Sequence, residues 1–343
     1  MEETNIVISE PGTFLGKTSR RLVIKQPDRP NRELSLLKIK EITVLGRGIS
    51  LSSDLITSAI KEQVQINLLD SAGRVVANIL SPYQTESIRA ARAQLEAVGN
   101  GRGARLATAI ISAKISNQIA LLEKAEVALE AVDSPSQQIG RYIARMHNRM
   151  DYLKSCPTAL KISQLLPAEG LASNCYWLAI RLVLGPRKFP GRRKRGATDP
   201  INSLFNYGYA LLQSRILLAT VRAGLLPFAG FIHQDRPGKP SFVLDAMEVF
   251  RQPIVDTAII SLLEDSQPKL NAEGRLDRET IQKLTSAIST NLDSKAKYID
   301  GKQHRFQEIM ILQLQLIASF LKGDRELVIW SLRPNANDIT RDL

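Results

Sequence analysis

The chain has 343 residues, 44% hydrophobic and 23% charged, the profile of a globular protein with room for one large domain or two ordinary ones. A formal charge of +12 points to a polyanionic partner, nucleic acid first, and two cysteines without CxxC spacing exclude a cysteine-based zinc site. No run reaches the roughly 18 apolar residues needed to cross a bilayer, and no basic amphipathic helix stands out, so no membrane association is expected.

The opening MEETNIVISE is acidic and lacks a basic region ahead of an apolar core, so no secretory leader is expected. The cysteine usage fits a reducing, cytoplasmic setting. The first ~80 residues read as β-rich. IVIS (5–8), RRLVIKQ (20–26), ELSLL (33–37), IKEITVLG (39–46) and VQINLL (64–69) are short and rich in branched residues, and a last strand begins near Gly73. Turn signals such as Pro11-Gly12 and Ser71-Ala72-Gly73-Arg74 separate them. One helix interrupts, SSDLITSAIKEQ (52–63), capped by Ser52 or Ser53.

Past Ser81-Pro82-Tyr83 the period becomes helical. TESIRAARAQLEAV (85–98) stops at GNGRG (99–103), and a long helix covers 104–132. Further helices are predicted near 137–154, 168–184, 200–223, 241–265, 278–293 and 303–322. The expected fold class is α+β: a small N-terminal β-rich domain, 1–84, then a larger all-α domain, 85–333. The polar stretch 334–343 reads as a flexible tail.

Three segments carry candidate chemistry. In PAEGLASNCYWLAIRLVL (167–184), Pro167 suits a first helical turn, which puts Glu169 there among small residues. Such an acid also simply favours the helix dipole. In FIHQDRPGKPSFVLDAMEVFRQPIVD (231–256), His233 precedes a helix. On it Asp245, Glu248, Gln252 and Asp256 share the side opposite an apolar face of Val243, Met247, Phe250 and Ile254. Either these acids face water, or a divalent cation reverses their repulsion. One imidazole beside carboxylates suits Mg²⁺ or Mn²⁺.

The third segment is basic. Six of the nine residues from Arg187 to Arg195 are Arg or Lys (Arg187, Lys188, Arg192, Arg193, Lys194 and Arg195). Pro186, just before this run, and Pro190 within it make a loop there, and Asp199-Pro200 opens the next helix. A basic loop beside an acidic cluster is what phosphodiester chemistry requires, since one neutralises phosphates and the other holds a metal. No P-loop, HExxH or GxSxG motif is present, and three histidines are too few for a multi-histidine zinc site.

Several motifs together resemble one family across nearly the whole chain. They are EPGTFLGKTSRRLVI, LLDSAGRVV, AKISNQIALL, EGLASNCYW, DPINSLFNYGYALL and GFIHQDRPGKPSFVLDAMEVFRQPIVD. In order and joint presence they resemble the CRISPR-associated endonuclease/integrase family, the integrase subunit of CRISPR spacer acquisition. The resemblance implies a metal site of one glutamate, one histidine and a third acid, which fall on Glu169, His233 and Glu248, with Asp245 close by. Many members carry aspartate at the third position, so whether Glu248, Asp245 or both touch the metal stays open.

The resemblance further implies transesterification. A 3′-hydroxyl of prespacer DNA attacks a phosphodiester at the edge of a CRISPR repeat. It also implies a homodimer through the β-rich domain and a complex with a small ferredoxin-like CRISPR-associated adaptation subunit. Asn202, Tyr207 and Arg236 join the basic loop as expected DNA contacts, and Tyr176 as a residue lining the site. Two other functions fit the same residues: a structure-selective metal nuclease acting on branched DNA in repair, and a non-catalytic DNA-binding scaffold.

Overall fold

The computed structural model describes residues 4–62, 64–70, 75–79, 85–130, 136–155, 162–185, 189–194 and 196–332. The chain divides into two units, Met1–Thr85 and Glu86–Leu343. In chain order the first holds β1 (Thr4–Ile8), β2 (Phe14–Thr18), β3 (Arg21–Lys25), β4 (Arg32–Ser35), β5 (Ile39–Leu45), β6 (Ser50–Leu51), α1 (Ser53–Lys61), β7 (Gln65–Leu69) and β8 (Val75–Ile79).

Two four-stranded sheets result, ordered β1-β5-β7-β8 and β4-β3-β2-β6. In the first, β1, β5 and β7 run parallel and β8 returns antiparallel. Parallel neighbours need a crossover, and α1 lies in the one between β5 and β7. Ser52 caps α1 by accepting from the Leu55 N–H at 3.2 Å. Leu15, Leu22, Ile24, Ile42, Leu55 and Ile66 are fully buried in one apolar cluster. β2 escaped the sequence reading because FLGKT offers two apolar residues before a glycine. Its partner is the adjacent β3, joined by the two-residue turn Ser19-Arg20 with Ser19 at φ 53°.

The second unit is mostly helical, as expected. It contains α2 (Thr85–Glu96), α3 (Arg102–Glu130), α4 (Ser136–Ser155), α5 (Ile162–Leu184), α6 (Pro200–Arg222), α7 (Ser241–Met247), a π-helical segment (Arg251–Asp256), α8 (Thr257–Asp265), α9 (Arg278–Asp293) and α10 (Phe306–Lys322). A short hairpin, β9 (Lys295–Lys297) with β10 (Gln303–Arg305), takes the start of the helix predicted at 303. The 29 residues of α3 make a rod about 43 Å long. α4, α5, α7, α10 and the π-helical segment pack on it.

Two departures from expectation matter for function. First, α5 begins at Ile162, so Pro167 lies inside the helix and Glu169 is two turns from its start. Pro167 removes the bond to the Ser163 carbonyl, and Glu169 is not a dipole-favouring first-turn acid. Second, 241–265 is not one continuous helix. α7 ends at Met247, a turn follows, and the π-helical segment contains Pro253. The sequence period assumed one axis; the break sends Asp245, Glu248 and Asp256 to different partners. None faces water: Asp245 and Asp256 are fully buried, Gln252 nearly so, and Glu248 is 7% exposed. The predicted tail, 334–343, lies outside the described residues.

Candidate active site

Glu169 on α5 and Glu248, just past α7, meet at one cation. That cation is Lys114, from the middle of α3. Its ammonium pairs with Glu169 Oε1 and stands 2.9 Å from Glu248 Oε2. Ser173, one turn along α5, donates its hydroxyl to Glu169 Oε1 at 2.8 Å. Arg251 reaches Glu248 Oε1 at 3.2 Å. Glu248 Oε2 is buried and accepts no directed hydrogen bond among the described residues.

Burial alone would raise the Glu248 pKa. The charges of Arg251 and Lys114 outweigh it and hold the carboxyl down at about 2. Glu169 behaves similarly: burial pushes it up, and Lys114 with Ser173 pulls it below its ordinary value. Lys114 is raised, because its two carboxylates overcome the burial that would discharge it. The site therefore presents two ionised carboxylates at neutral pH.

His233 arrives on the loop before α7. Its Nδ1 lies 2.7 Å from Asp245 Oδ1, and Asp245 accepts three backbone N–H groups of that loop: Phe231 at 2.6 Å, Ile232 at 2.9 Å and His233 at 3.0 Å. Gly230 permits this approach, since an added Cβ would fall 2.8 Å from Ser241 Cβ and 3.0 Å from Asp245 Oδ2. Gly103 serves the same loop: its Cβ would lie 2.5 Å from the Phe231 ring, which accounts for the last glycine of GNGRG. The His233 side chain keeps 31% exposure and acts electrostatically on Glu248.

A third buried acid shares the electrostatic influence of Arg251 with Glu248. Asp256 accepts hydroxyl donations from Tyr176 and Tyr209, each at 2.6 Å. Burial raises its pKa to about 6, against the pull of the two hydroxyls, Arg251 and Arg192. Tyr176, expected to line the site, is fully buried and donates to Asp256.

The basic loop separates into two roles. Arg192 points inward, with its guanidinium 5.4–5.7 Å from the ring centroids of Trp177, Phe205 and Tyr209. It donates to Asn202 Oδ1 at 3.0 Å and Asn206 Oδ1 at 2.8 Å. Asn202 is fully buried; its amide also donates to the Gly191 carbonyl and accepts from the Arg193 N–H. The side chains of Arg193 and Lys194 are exposed, and Lys194 acts electrostatically on Arg251, Glu248, Lys114 and Glu169. Tyr207 is half-buried against the helical core, and Arg236 is exposed on the turn after His233. Arg187, Lys188 and Arg195 lie outside the described residues.

Comparison with known proteins turns this arrangement into a family assignment. Residues 6–290 match the family model described as "CRISPR associated protein Cas1". A CRISPR-associated endonuclease Cas1 of Archaeoglobus fulgidus is 30% identical over 337 residues, covering 93% of this chain and 97% of that protein. The chain belongs to the Cas1 family. It is an enzyme, a CRISPR-associated endonuclease of a metal-dependent family. Two solved structures share the fold. One is a casposase bound to its integration product, with TM-score 0.72 and 24% identity over 99% of this chain and 97% of that one. The other is a Cas6-RT-Cas1–Cas2 complex, with TM-score 0.68 and 19% identity over 94% of this chain and 35% of that one.

Among the described residues of this Cas1 protein, no three His, Cys, Asp or Glu side chains are grouped so that they could hold a metal ion as they stand. The donor set nevertheless suits a hard divalent cation. Two ionised carboxylates already share a cation, and Glu248 Oε2 has unused lone pairs. Sequence reasoning missed Lys114 and Arg251 as members of the site. Lys114 did leave a signal, as a lone charge in the apolar helical run ATAIISAKI. No described helix is long and apolar enough to cross a membrane.

Proposed function

We propose that this Cas1 protein joins 3′-hydroxyl ends of prespacer DNA to a CRISPR repeat, with Glu169, His233 and Glu248 holding Mg²⁺ or Mn²⁺. The observation that carries the reading is the meeting of Glu169 and Glu248, from separate elements, at one cation, with a histidine oriented by a buried acid acting electrostatically on Glu248. Asp245 is the orienting acid and Glu248 the third ligand. Asp245 is saturated by three backbone N–H groups and the His233 ring, whereas Glu248 has an oxygen to offer. With Nδ1–H donated to Asp245, the His233 Nε2 lone pair is free for a cation.

A bound divalent cation would polarise the phosphoryl oxygen and stabilise the leaving 3′-oxygen. The protein's own groups do the positioning. Arg193, Lys194 and Arg236 neutralise DNA phosphates around the site. Arg192 and Asn202 hold the loop that presents them, and Tyr207 lies on α6 with Asn202 as a further DNA contact. One phosphodiester is exchanged for another, so no protein nucleophile is required and no net ester bond is lost. Arg187, Lys188 and Arg195 extend the basic surface by charge.

The β-rich stretch 1–84 is proposed as the dimerisation domain and 85–333 as the catalytic domain. The family resemblance supports the homodimer and the small ferredoxin-like subunit, and the solved Cas6-RT-Cas1–Cas2 complex supports a Cas2 partner. The test uses a supercoiled plasmid carrying a repeat, a labelled duplex with free 3′-hydroxyls, Mn²⁺, and the partner subunit present or absent. Label joined to plasmid by wild type and not by His233→Ala establishes the reading. Cutting without joining, lost in the variant, makes the protein a nuclease of branched DNA. Equal behaviour of both proteins places the chemistry elsewhere.

A further inference from the structure

Lys114 is the member of the site that packing does not explain. Its side chain is 10% exposed, and its neighbours on α3, Ala113 and Ile115, are buried. An ammonium at that depth needs partners, and its partners are the two carboxylates read as metal ligands. Its hold on them is unequal. Glu169 Oε1 receives a directed hydrogen bond, while Glu248 Oε2 is close in charge but not aligned to accept one. Arg251 meanwhile fixes the other oxygen of Glu248. Glu248 thus stays in place with one oxygen bound only by charge, and a divalent cation brings more charge to the same oxygens.

We propose that Lys114 is a built-in counter-ion of Glu169 and Glu248 that competes with the catalytic divalent cation for both carboxylates. The inference rests on the metal-site reading above. Lysine keeps the pair folded together against their repulsion, and the metal binds by displacing it. The apparent metal affinity is then set by how easily the ammonium leaves. The displaced ammonium emerges where a DNA phosphate must come to reach the metal.

The experiment is calorimetric titration of Mn²⁺ alone into wild type, Lys114→Met, Lys114→Gln, Glu169→Gln and Glu248→Gln, with thermal unfolding of each in EDTA and in saturating Mn²⁺. A site closed by its counter-ion nine times in ten binds about tenfold more weakly than an open one, so the lysine variants should gain about tenfold in Mn²⁺ affinity. They should also melt lower than wild type in EDTA and recover most of that loss in Mn²⁺. A merely structural lysine would lower melting equally in both conditions. Lys114→Gln keeps a hydrogen-bonding group and decides the matter if Lys114→Met does not fold. Unchanged or weaker Mn²⁺ binding in the lysine variants, with binding lost in Glu169→Gln and Glu248→Gln, overturns the counter-ion role and leaves the metal site standing. Wild-type Mn²⁺ affinity in both glutamine variants overturns the metal site and this inference together.

Discussion

His233 and Asp245 form a directed pair, Nδ1 to Oδ1 at 2.7 Å, in which the acid is fully buried and the imidazole is not. The same carboxylate gathers three backbone N–H groups of the loop that carries the histidine. Asp245 therefore sets both the loop's path and the ring's tautomer.

Replacing Asp245 should hurt folding as well as chemistry. Asp245→Ala leaves buried N–H groups without an acceptor, at a cost of about 2–4 kcal/mol. His233→Ala removes only a partly exposed ring and should abolish joining with a change in stability below about 1 kcal/mol. Urea unfolding of the two variants, run beside the joining assay, checks the contrast. Equal stability losses would show that Asp245 does not organise the loop.

Removing the metal should separate chemistry from binding. EDTA should stop strand joining while DNA affinity, which rests on Lys and Arg neutralising phosphates, stays within about twofold. Glu169→Gln should reproduce this in the presence of Mn²⁺, lowering the joining rate by about a hundredfold or more. Joining that persists in EDTA would exclude a divalent cation at Glu169.

Much of this was legible in the sequence where a local period or motif controlled the outcome. The β-rich start, the helical remainder and the Ser52 cap follow from patterns a few residues long. The three segments that carry Glu169, His233 and Glu248 stood out through ordered motifs, and the pairing of Glu169 and Glu248 at one cation appears only in the fold. What escaped was non-local. Lys114 meets Glu169 across 55 positions, and no helical period reveals that pairing. The break after Met247 was hidden because Asp245, Glu248, Gln252 and Asp256 keep a helix-like spacing through a turn and a π-helical segment. Charge alone could not show that Arg192 turns inward while Arg193 and Lys194 face out. That choice is made by the rings of Trp177, Phe205 and Tyr209.

The basic loop should accordingly respond unevenly to mutation. Arg192→Ala loses ring contacts and two side-chain hydrogen bonds, which should destabilise the protein by about 2–3 kcal/mol. Arg193→Ala and Lys194→Ala should leave stability within about 0.5 kcal/mol. Each should lower the log–log salt slope of duplex binding by about 0.9. Binding measured from low to moderate salt tests it. A slope unchanged in the Arg193→Ala, Lys194→Ala double variant would remove this loop from the DNA interface.

Asp256 should give the protein a stability profile that falls with rising pH over one window. Its folded pKa, about 6, exceeds the 3.8 of an unperturbed aspartate. The folded state therefore binds the proton more tightly than the unfolded chain. Below about pH 4 both states are protonated and there is no penalty. Between about pH 4 and 6 the unfolded chain ionises first, and stability declines by about 3 kcal/mol in total. Above that window both states are ionised and the loss is constant. Asp256→Asn has nothing to ionise, so the stability of wild type relative to this variant should fall across the window and then level. Tyr176→Phe removes a hydroxyl that favours the charged carboxylate, so it should move the window upward and deepen the decline. Denaturant unfolding at pH 4, 5, 6 and 7 measures all three proteins. A difference between wild type and Asp256→Asn that stays flat from pH 4 to 7 would mean that Asp256 ionises as freely in the folded protein as in the unfolded chain.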